Sequence, residues 1–167
     1  MRVKFSQLAV RLAVTPAGAA LDRWAVRFSG ESPVSWVFAK SEGVEYNPPI
    51  LLTTRGRKSG KPRSVVLPHF RAKPGRIAVV GSRGGSPGDP HWALNLKAHP
   101  EAQIWYERRE IEVEVELLTG EPRAPIWASI TTRSPVYLEY QKRAAAHREI
   151  PVFELTARDG TKLDAPG

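Results

Sequence analysis

The chain has 167 residues, of which 41% are hydrophobic, and this is enough for one domain with a buried core. It contains no cysteine, so disulfide bonds, thiolate metal ligands and cysteine nucleophiles are excluded. The formal net charge of +8 and a pI near 10.1 predict an anionic partner: nucleic acid, a membrane surface, or a small molecule that carries phosphate or carboxylate groups.

The positive charge is unevenly distributed along the chain. No acidic residue lies between Glu45 and Asp89, whereas this interval holds nine lysines and arginines. Glutamates crowd residues 107–116 instead. This separation favours a local anion-binding site over a general polycationic surface.

The first forty residues predict helices. Apolar residues recur at helical spacing in two runs, Phe5 to Leu12 and Leu21 to Phe28, which the sequence TPAG at 15–18 separates. Neither run is long enough to cross a bilayer, and no secretory signal pattern is present. The arginines beside Trp24 and Phe28 suit a helix on an anionic membrane, and the alternative is a helix docked on its own domain. We therefore expect a cytoplasmic protein with possible peripheral contact at the inner face of the cell membrane.

From Ile50 onward the pattern is that of strands. ILLTT, RSVVLPHF, RIAVVGS, AQIWYE, EIEVEVELL and IPVFELT predict β-strands, and the alternation of EIEVEVELL places its glutamates in water. HWALNLKAHP, RAPIWASITTR and PVYLEYQKRAAA predict helices, the last with Ser134 as N-cap before Pro135. This order predicts an α+β fold with a barrel-like antiparallel sheet. We expect an N-terminal helical segment at 1–40, one domain at 41–157 and a loose tail at 158–167.

The segment GRKSGK lies between the first two predicted strands, among five basic residues. Gly56 and Gly60 are one residue too close for a nucleotide-triphosphate P-loop, and Pro62 follows Lys61. Backbone N–H groups of a glycine-bearing turn, together with guanidinium groups, can still hold an anion. An anion-binding loop is therefore favoured over a solvated turn.

A second segment, VVGSRGGSPGDPHWALNL, follows a predicted strand. Its glycines permit close approach of a ligand to the backbone, while Trp92 offers a flat ring and Asn95 a bidentate amide. These groups suit a planar heterocycle, and an ordinary loop beside a core tryptophan is the alternative. The four histidines are scattered, so no metal site is expected.

Three segments, LLTTRGRKSGKPRSVVL, VVGSRGGSPGDPHWALNLKAHPEAQI and YLEYQKRAAAHREIPVFEL, occur in the order and spacing that resemble the deazaflavin-dependent nitroreductase family. These reductases use the reduced deazaflavin coenzyme F420, and the F420H2-dependent quinone reductases are among them. The resemblance covers about Ile50 to Leu155. It implies a split β-barrel related to the barrels that bind flavin mononucleotide (FMN).

The resemblance also implies which residues bind the cofactor, whose phosphodiester and oligoglutamate tail are anionic. The phosphate and tail are expected at Arg57, Lys58, Ser59, Gly60, Arg63 and Ser64. The deazaflavin is expected beside Val65, Val66, Leu67 and Pro68. Its ring system or ribityl chain is expected to contact Ser82, Arg83, Gly84, Gly85, His91, Trp92 and Asn95. Tyr137 matches a tyrosine that closes over the substrate side in this family.

The resemblance thus implies hydride transfer from reduced F420 to a small-molecule acceptor, a quinone such as menaquinone or a related nitro or enone compound. Tyr137 is the expected catalytic residue. Ala93 and Ser134 stand where family members often carry aromatic residues, which opens the substrate side. An FMN-binding split-barrel oxidoreductase is the alternative enzyme. A nucleic-acid-binding module is the alternative from another class, and the lack of aromatic residues at 51–69 disfavours it.

Overall fold

The computed structural model describes residues 15–42 and 46–164, apart from the side chains of Phe38, Ser41 and Glu42. The helices are α1 (Pro16–Ser29), α2 (Pro33–Glu42), α3 (His91–Ala98), α4 (Gly120–Arg133) and α5 (Val136–Ala144). The strands are β1 (Ile50–Arg55), β2 (Pro62–Leu67), β3 (Phe70–Arg71), β4 (Ile77–Val80), β5 (Glu101–Tyr106), β6 (Arg109–Leu118) and β7 (Val152–Ala157). The first predicted helical run, Phe5 to Leu12, lies outside the described residues.

The seven strands form one antiparallel sheet in the order β2-β1-β5-β6-β7-β4-β3. The α+β prediction is confirmed. β2 and β3 are the two edges, so Pro62 begins an edge strand, where its missing N–H is tolerated. In β6 the predicted alternation holds from Ile111 to Val115, where the apolar residues are buried and the glutamates are exposed. It ends at Leu117, which is 39% exposed.

The concave face of the sheet encloses the main core. Strands β1, β4, β5, β6 and β7 all contribute to one cluster, in which Leu52, Ile104 and Phe153 are almost fully buried. Helix α3 packs into the same cluster through Trp92, Ala93 and Leu96. Since strand residues alternate in direction, the neighbouring residues of β4, Ala78 and Val80, belong to a second cluster on the opposite face. Helices α4 and α5 cover that second cluster.

Helix α1 docks on its own domain but leaves its predicted apolar stripe in solvent. Its buried side is formed by Val26 and by Asp22, whose carboxylate accepts a hydrogen bond from Ser32 Oγ at 2.8 Å. Leu21, Trp24 and Phe28 are 65%, 60% and 55% exposed. No helix within the described residues is long and apolar enough to cross a membrane. Contact of the exposed stripe with a membrane surface stays a prediction.

TPAG begins α1, because Thr15 Oγ1 accepts a hydrogen bond from the Gly18 N–H at 3.1 Å. Two local expectations need correction. Ser134 ends α4 through its N–H bond to the Ile130 carbonyl, and no side chain caps α5. Residues 158–164 are not a loose tail, because Leu163 is fully buried in the main core and its N–H donates to the Gly75 carbonyl.

Candidate anion-binding pocket

A pocket of about 510 Å³ lies between the β1–β2 turn, strand β2 and helix α3. Its volume falls within the range of small-molecule sites in proteins. The lining residues combine cationic, hydroxyl, amide and aromatic groups: Gly56, Arg57, Lys58, Ser59, Arg63, Ser64, Val65, His91, Trp92 and Asn95. Apart from Gly56, all of them were expected from the sequence to bind the cofactor.

The β1–β2 turn has a compact backbone. The Gly56 N–H donates to the Lys61 carbonyl at 2.9 Å, and the Gly60 N–H donates to the Gly56 carbonyl at 2.7 Å. A Cβ added at Gly56 would lie 2.8 Å from Ser59 Oγ and 3.0 Å from the Lys61 carbonyl oxygen, so a larger residue would crowd the turn. The turn joins two strands, which agrees with the exclusion of a P-loop.

The five cations of this hairpin are Arg55, Arg57, Lys58, Lys61 and Arg63, and we call them the basic hairpin. Within the described residues, none of the recorded salt bridges involves any of them. Arg57, Lys58 and Arg63 line the pocket, whereas Arg55 and Lys61 do not. The pocket therefore concentrates positive charge that the described protein does not neutralise, which is the electrostatic condition for binding a multiply charged anion.

Asn95 joins α3 to the basic hairpin. Its Oδ1 accepts hydrogen bonds from the Arg57 N–H and from Arg57 Nη1, both at 3.1 Å. Its Nδ2 donates to Thr54 Oγ1 at 3.1 Å, and the Asn95 side chain is buried. This differs from the bidentate contact with a heterocycle expected from the sequence, because the amide is used to hold Arg57 and β1. Thr54 was missed, since nothing local in the sequence marks it.

The apolar wall of the pocket is built by Val65 and Trp92. Val65 packs against the main core from the concave face of β2, and Trp92 is nearly buried with its ring centroid 5.7 Å from that of Phe153. Leu67 packs on the same core without lining the pocket, and Val66 alternates to the other face. A flat wall beside a cationic end suits a ligand with a planar ring and an anionic arm.

The remaining expected residues lie outside this lining. Gly60 and Pro68 are exposed at the ends of β2, and Gly60 has a φ of +67° that a turn of this kind requires. Ser82 to Gly85 form a turn between β4 and α3 that packs on α5. A Cβ at Gly85 would lie 2.6 Å from the Tyr140 carbonyl oxygen.

The structure does not bring Tyr137 into the pocket. Its ring lies in the second cluster, with ring centroids 5.6 Å from Phe70, 5.8 Å from Tyr140 and 6.5 Å from Trp127. Burial is the main cause that raises the pKa of the Tyr137 hydroxyl above its ordinary value. Tyr137 is therefore protonated at neutral pH, and its catalytic role stays a prediction.

The histidines do not assemble a metal centre. Within residues 15–42 and 46–164, no group of three or more acidic or histidine side chains is placed to hold a metal ion. His69 is buried beside Tyr106, and burial lowers its pKa to about 4, so its ring is neutral. His91 is the histidine that lines the pocket.

Fold and pocket together define an α+β protein with a cationic pocket beside an apolar wall. A comparison with protein families matches residues 35–157 to the family described as F420H(2)-dependent quinone reductase. An F420H(2)-dependent quinone reductase of Mycobacterium tuberculosis is 33% identical over 116 residues, which are 66% of this chain and 74% of that protein.

Solved structures agree with this match. The F420-H2 dependent reductase FDR-A is 36% identical and covers 67% of this chain and 96% of its own, with a TM-score of 0.58. A structure described as a domain-swapped dimer is 34% identical and covers 74% of this chain and 99% of its own, with a TM-score of 0.57. The chain belongs to the F420H(2)-dependent quinone reductase family and is a reductase of that class.

Asn95→Ala should release the basic hairpin from α3. The Arg57 N–H would lose its acceptor, so we expect its hydrogen exchange to accelerate at least tenfold, because a buried hydrogen bond protects an amide. Backbone exchange measured by NMR checks this. Ser64→Ala is the control, since the Ser64 hydroxyl contacts Thr53 and not Arg57. Unchanged exchange at Arg57 in Asn95→Ala would contradict the hydrogen bond between Asn95 and Arg57.

Proposed function

We propose that this protein uses reduced coenzyme F420 to reduce a small electrophilic acceptor, with a quinone of the menaquinone type as the natural class. The observation that carries the proposal is the unneutralised charge of Arg57, Lys58 and Arg63 at one end of the pocket. The cofactor's phosphodiester and glutamate tail supply the matching negative charge. Family membership supports the choice of this cofactor over other anions.

The residues present fit this cofactor. The cations and the hydroxyls of Ser59 and Ser64 would hold the phosphate and tail, since guanidinium and hydroxyl groups pair well with such oxygens. Val65 and Trp92 would flank the deazaflavin ring. We further propose that the sheet, with edges at β2 and β3, is a split β-barrel of the flavin-binding type. When bound, the reduced deazaflavin supplies a hydride, and the chain binds, orients and shields the reactants.

Quinone reduction tests this proposal. Purified protein with reduced F420 should oxidise the cofactor when a water-soluble quinone is added, followed by the return of the oxidised deazaflavin absorbance. A nitroaromatic acceptor measured beside the quinone separates the two acceptor classes. No oxidation with any quinone would contradict the proposed acceptor class.

Lys58→Ala should weaken F420 binding by about two- to fivefold at low salt, the scale of one exposed charge contact. The loss should shrink as salt rises, because screening removes the same attraction. Fluorescence titration at two ionic strengths measures it. Lys61→Ala is the matched control, since Lys61 belongs to the basic hairpin but does not line the pocket. Equal affinity in Lys58→Ala and the wild type would remove Lys58 from the site.

Tyr137→Phe should lower quinone turnover at least tenfold and leave F420 affinity unchanged. The proposed role is donation of a proton to the oxyanion that develops on the acceptor. It requires the acceptor to reach the α5 side of the sheet, because Tyr137 lies in the second cluster. The raised pKa keeps this hydroxyl protonated. Phenylalanine retains the ring that packs on Phe70 and Tyr140, so the fold should survive. Steady-state turnover and cofactor titration check the two parts separately. Unchanged turnover would contradict the role as proton donor and would leave Tyr137 a packing role only.

A further inference from the structure

Arg148 is a buried cation that no part of the proposed function uses. It lies between α5 and β7, its side chain is 10% exposed, and it does not line the pocket. Its guanidinium donates four hydrogen bonds, all to the loop that joins β4 to α3: to the carbonyl oxygens of Gly81 at 3.0 Å, Ser82 at 2.8 Å and Ser86 at 2.9 Å, and to Asp89 Oδ1 at 2.9 Å. One side chain thus sets the path of a whole loop.

The loop needs such support because its backbone is strained. Arg83 has a φ of +45°, which is costly for a residue with a Cβ. Gly85 has a φ of +78° and lies against the backbone of α5. Residues in sparsely populated conformations persist only where their surroundings determine them, and they cluster at ligand sites.

The same loop is coupled to the pocket through Asp89. Its second carboxylate oxygen, Oδ2, accepts a hydrogen bond from Lys97 Nζ in α3 at 2.7 Å. Helix α3 carries Trp92 and Asn95, which line the pocket. Asp89 therefore connects the Arg148 guanidinium to the helix that forms one pocket wall.

Arg148 is itself held in place from both sides. Its N–H donates to the Ala144 carbonyl at 2.9 Å, and its carbonyl accepts from Gln141 Nε2 at 3.2 Å. Gln141 Oε1 in turn accepts from the Ile150 N–H at 2.8 Å. A planar guanidinium group held in place can donate hydrogen bonds to several carbonyl oxygens at fixed positions. A lysine ammonium group cannot do so with the same geometry.

We propose that Arg148 is a positioning residue that fixes, through the loop and Asp89, the α3 wall of the pocket on which the ring and ribityl portion of the cofactor would rest. The proposal rests on the proposed function and adds a division of labour to it. The basic hairpin holds the anionic arm, and the α3 wall that Arg148 fixes through Asp89 holds the uncharged portion.

The test compares two ligands: intact F420, and the ribityl deazaflavin that lacks the phosphate and tail. Arg148→Met should weaken binding of both by the same factor, at least tenfold, because it disturbs the portion that they share. Lys58→Ala should weaken only intact F420. The affinity of Arg148→Lys for both ligands should lie between that of Arg148→Met and that of the wild type. Unchanged affinity for the ribityl deazaflavin in both Arg148 variants would overturn the proposal.

Arg123→Met is the matched control for a general loss of stability. Arg123 is equally buried, stacks on Trp127 and donates to the Ile150 carbonyl, but it does not touch the loop. We expect it to lower the unfolding temperature as Arg148→Met does while leaving both dissociation constants within twofold of the wild type. Equal loss of affinity in Arg123→Met would overturn the proposal as well.

Two further measurements cover a variant that does not fold and a wild type that does not bind. If Arg148→Met does not fold, Asp89→Asn replaces it, since asparagine keeps a hydrogen-bond acceptor but removes the charge. A several-fold loss of affinity for both ligands in Asp89→Asn would support the role of Arg148. Unchanged affinity in Asp89→Asn and Arg148→Lys together would contradict it. Wild-type protein that binds neither ligand would contradict the proposed function itself. The wild type is therefore titrated before any variant.

Discussion

The amide of Asn95 is the contact on which the pocket depends. It brings together three elements that are far apart in sequence: α3, the end of β1 through Thr54, and the turn through Arg57. Because the cations of the basic hairpin repel one another, a turn without this anchor would spread them into solvent. Holding Arg57 at α3 instead keeps positive charge beside the flat wall of Trp92. The hydrogen bonds of Asn95 thus hold the basic hairpin in place as one side of the pocket.

The basic hairpin is distinctive because its five cations lie close together in the chain and three of them line one pocket. Glu154 is buried with Arg76 at 2.7 Å, Asp89 pairs with Arg148, and Arg158 meets the exposed glutamates of β6. Within the described residues, the carboxylates of Glu154 and Asp89 thus have cationic partners in the protein. The hairpin cations have none among the recorded salt bridges, which is consistent with a partner that arrives from solution.

Local patterns predicted the elements well and the contacts between them poorly. Alternation in β6 and the helical spacing of α1 are properties of neighbouring residues, so both elements were foreseen from sequence. Which side of α1 docks was not foreseen, because the buried side consists of Val26 and of Asp22 bonded to Ser32, and not of the longer apolar stripe. The pocket cations were likewise predicted from their clustering. The clamp of Arg148 on Ser82 joins residues 66 apart, and no local pattern marks such a pair.

Fluorescence titration of purified protein with oxidised F420, run beside FMN, tests the central claim most directly. The account predicts saturable binding of F420 that weakens with salt, since the pocket offers cations to the anionic arm, and little binding of FMN. Binding of FMN alone would contradict the account and assign the same fold to a flavin enzyme. Binding of neither would leave the unpaired charge of the basic hairpin without the ligand proposed here.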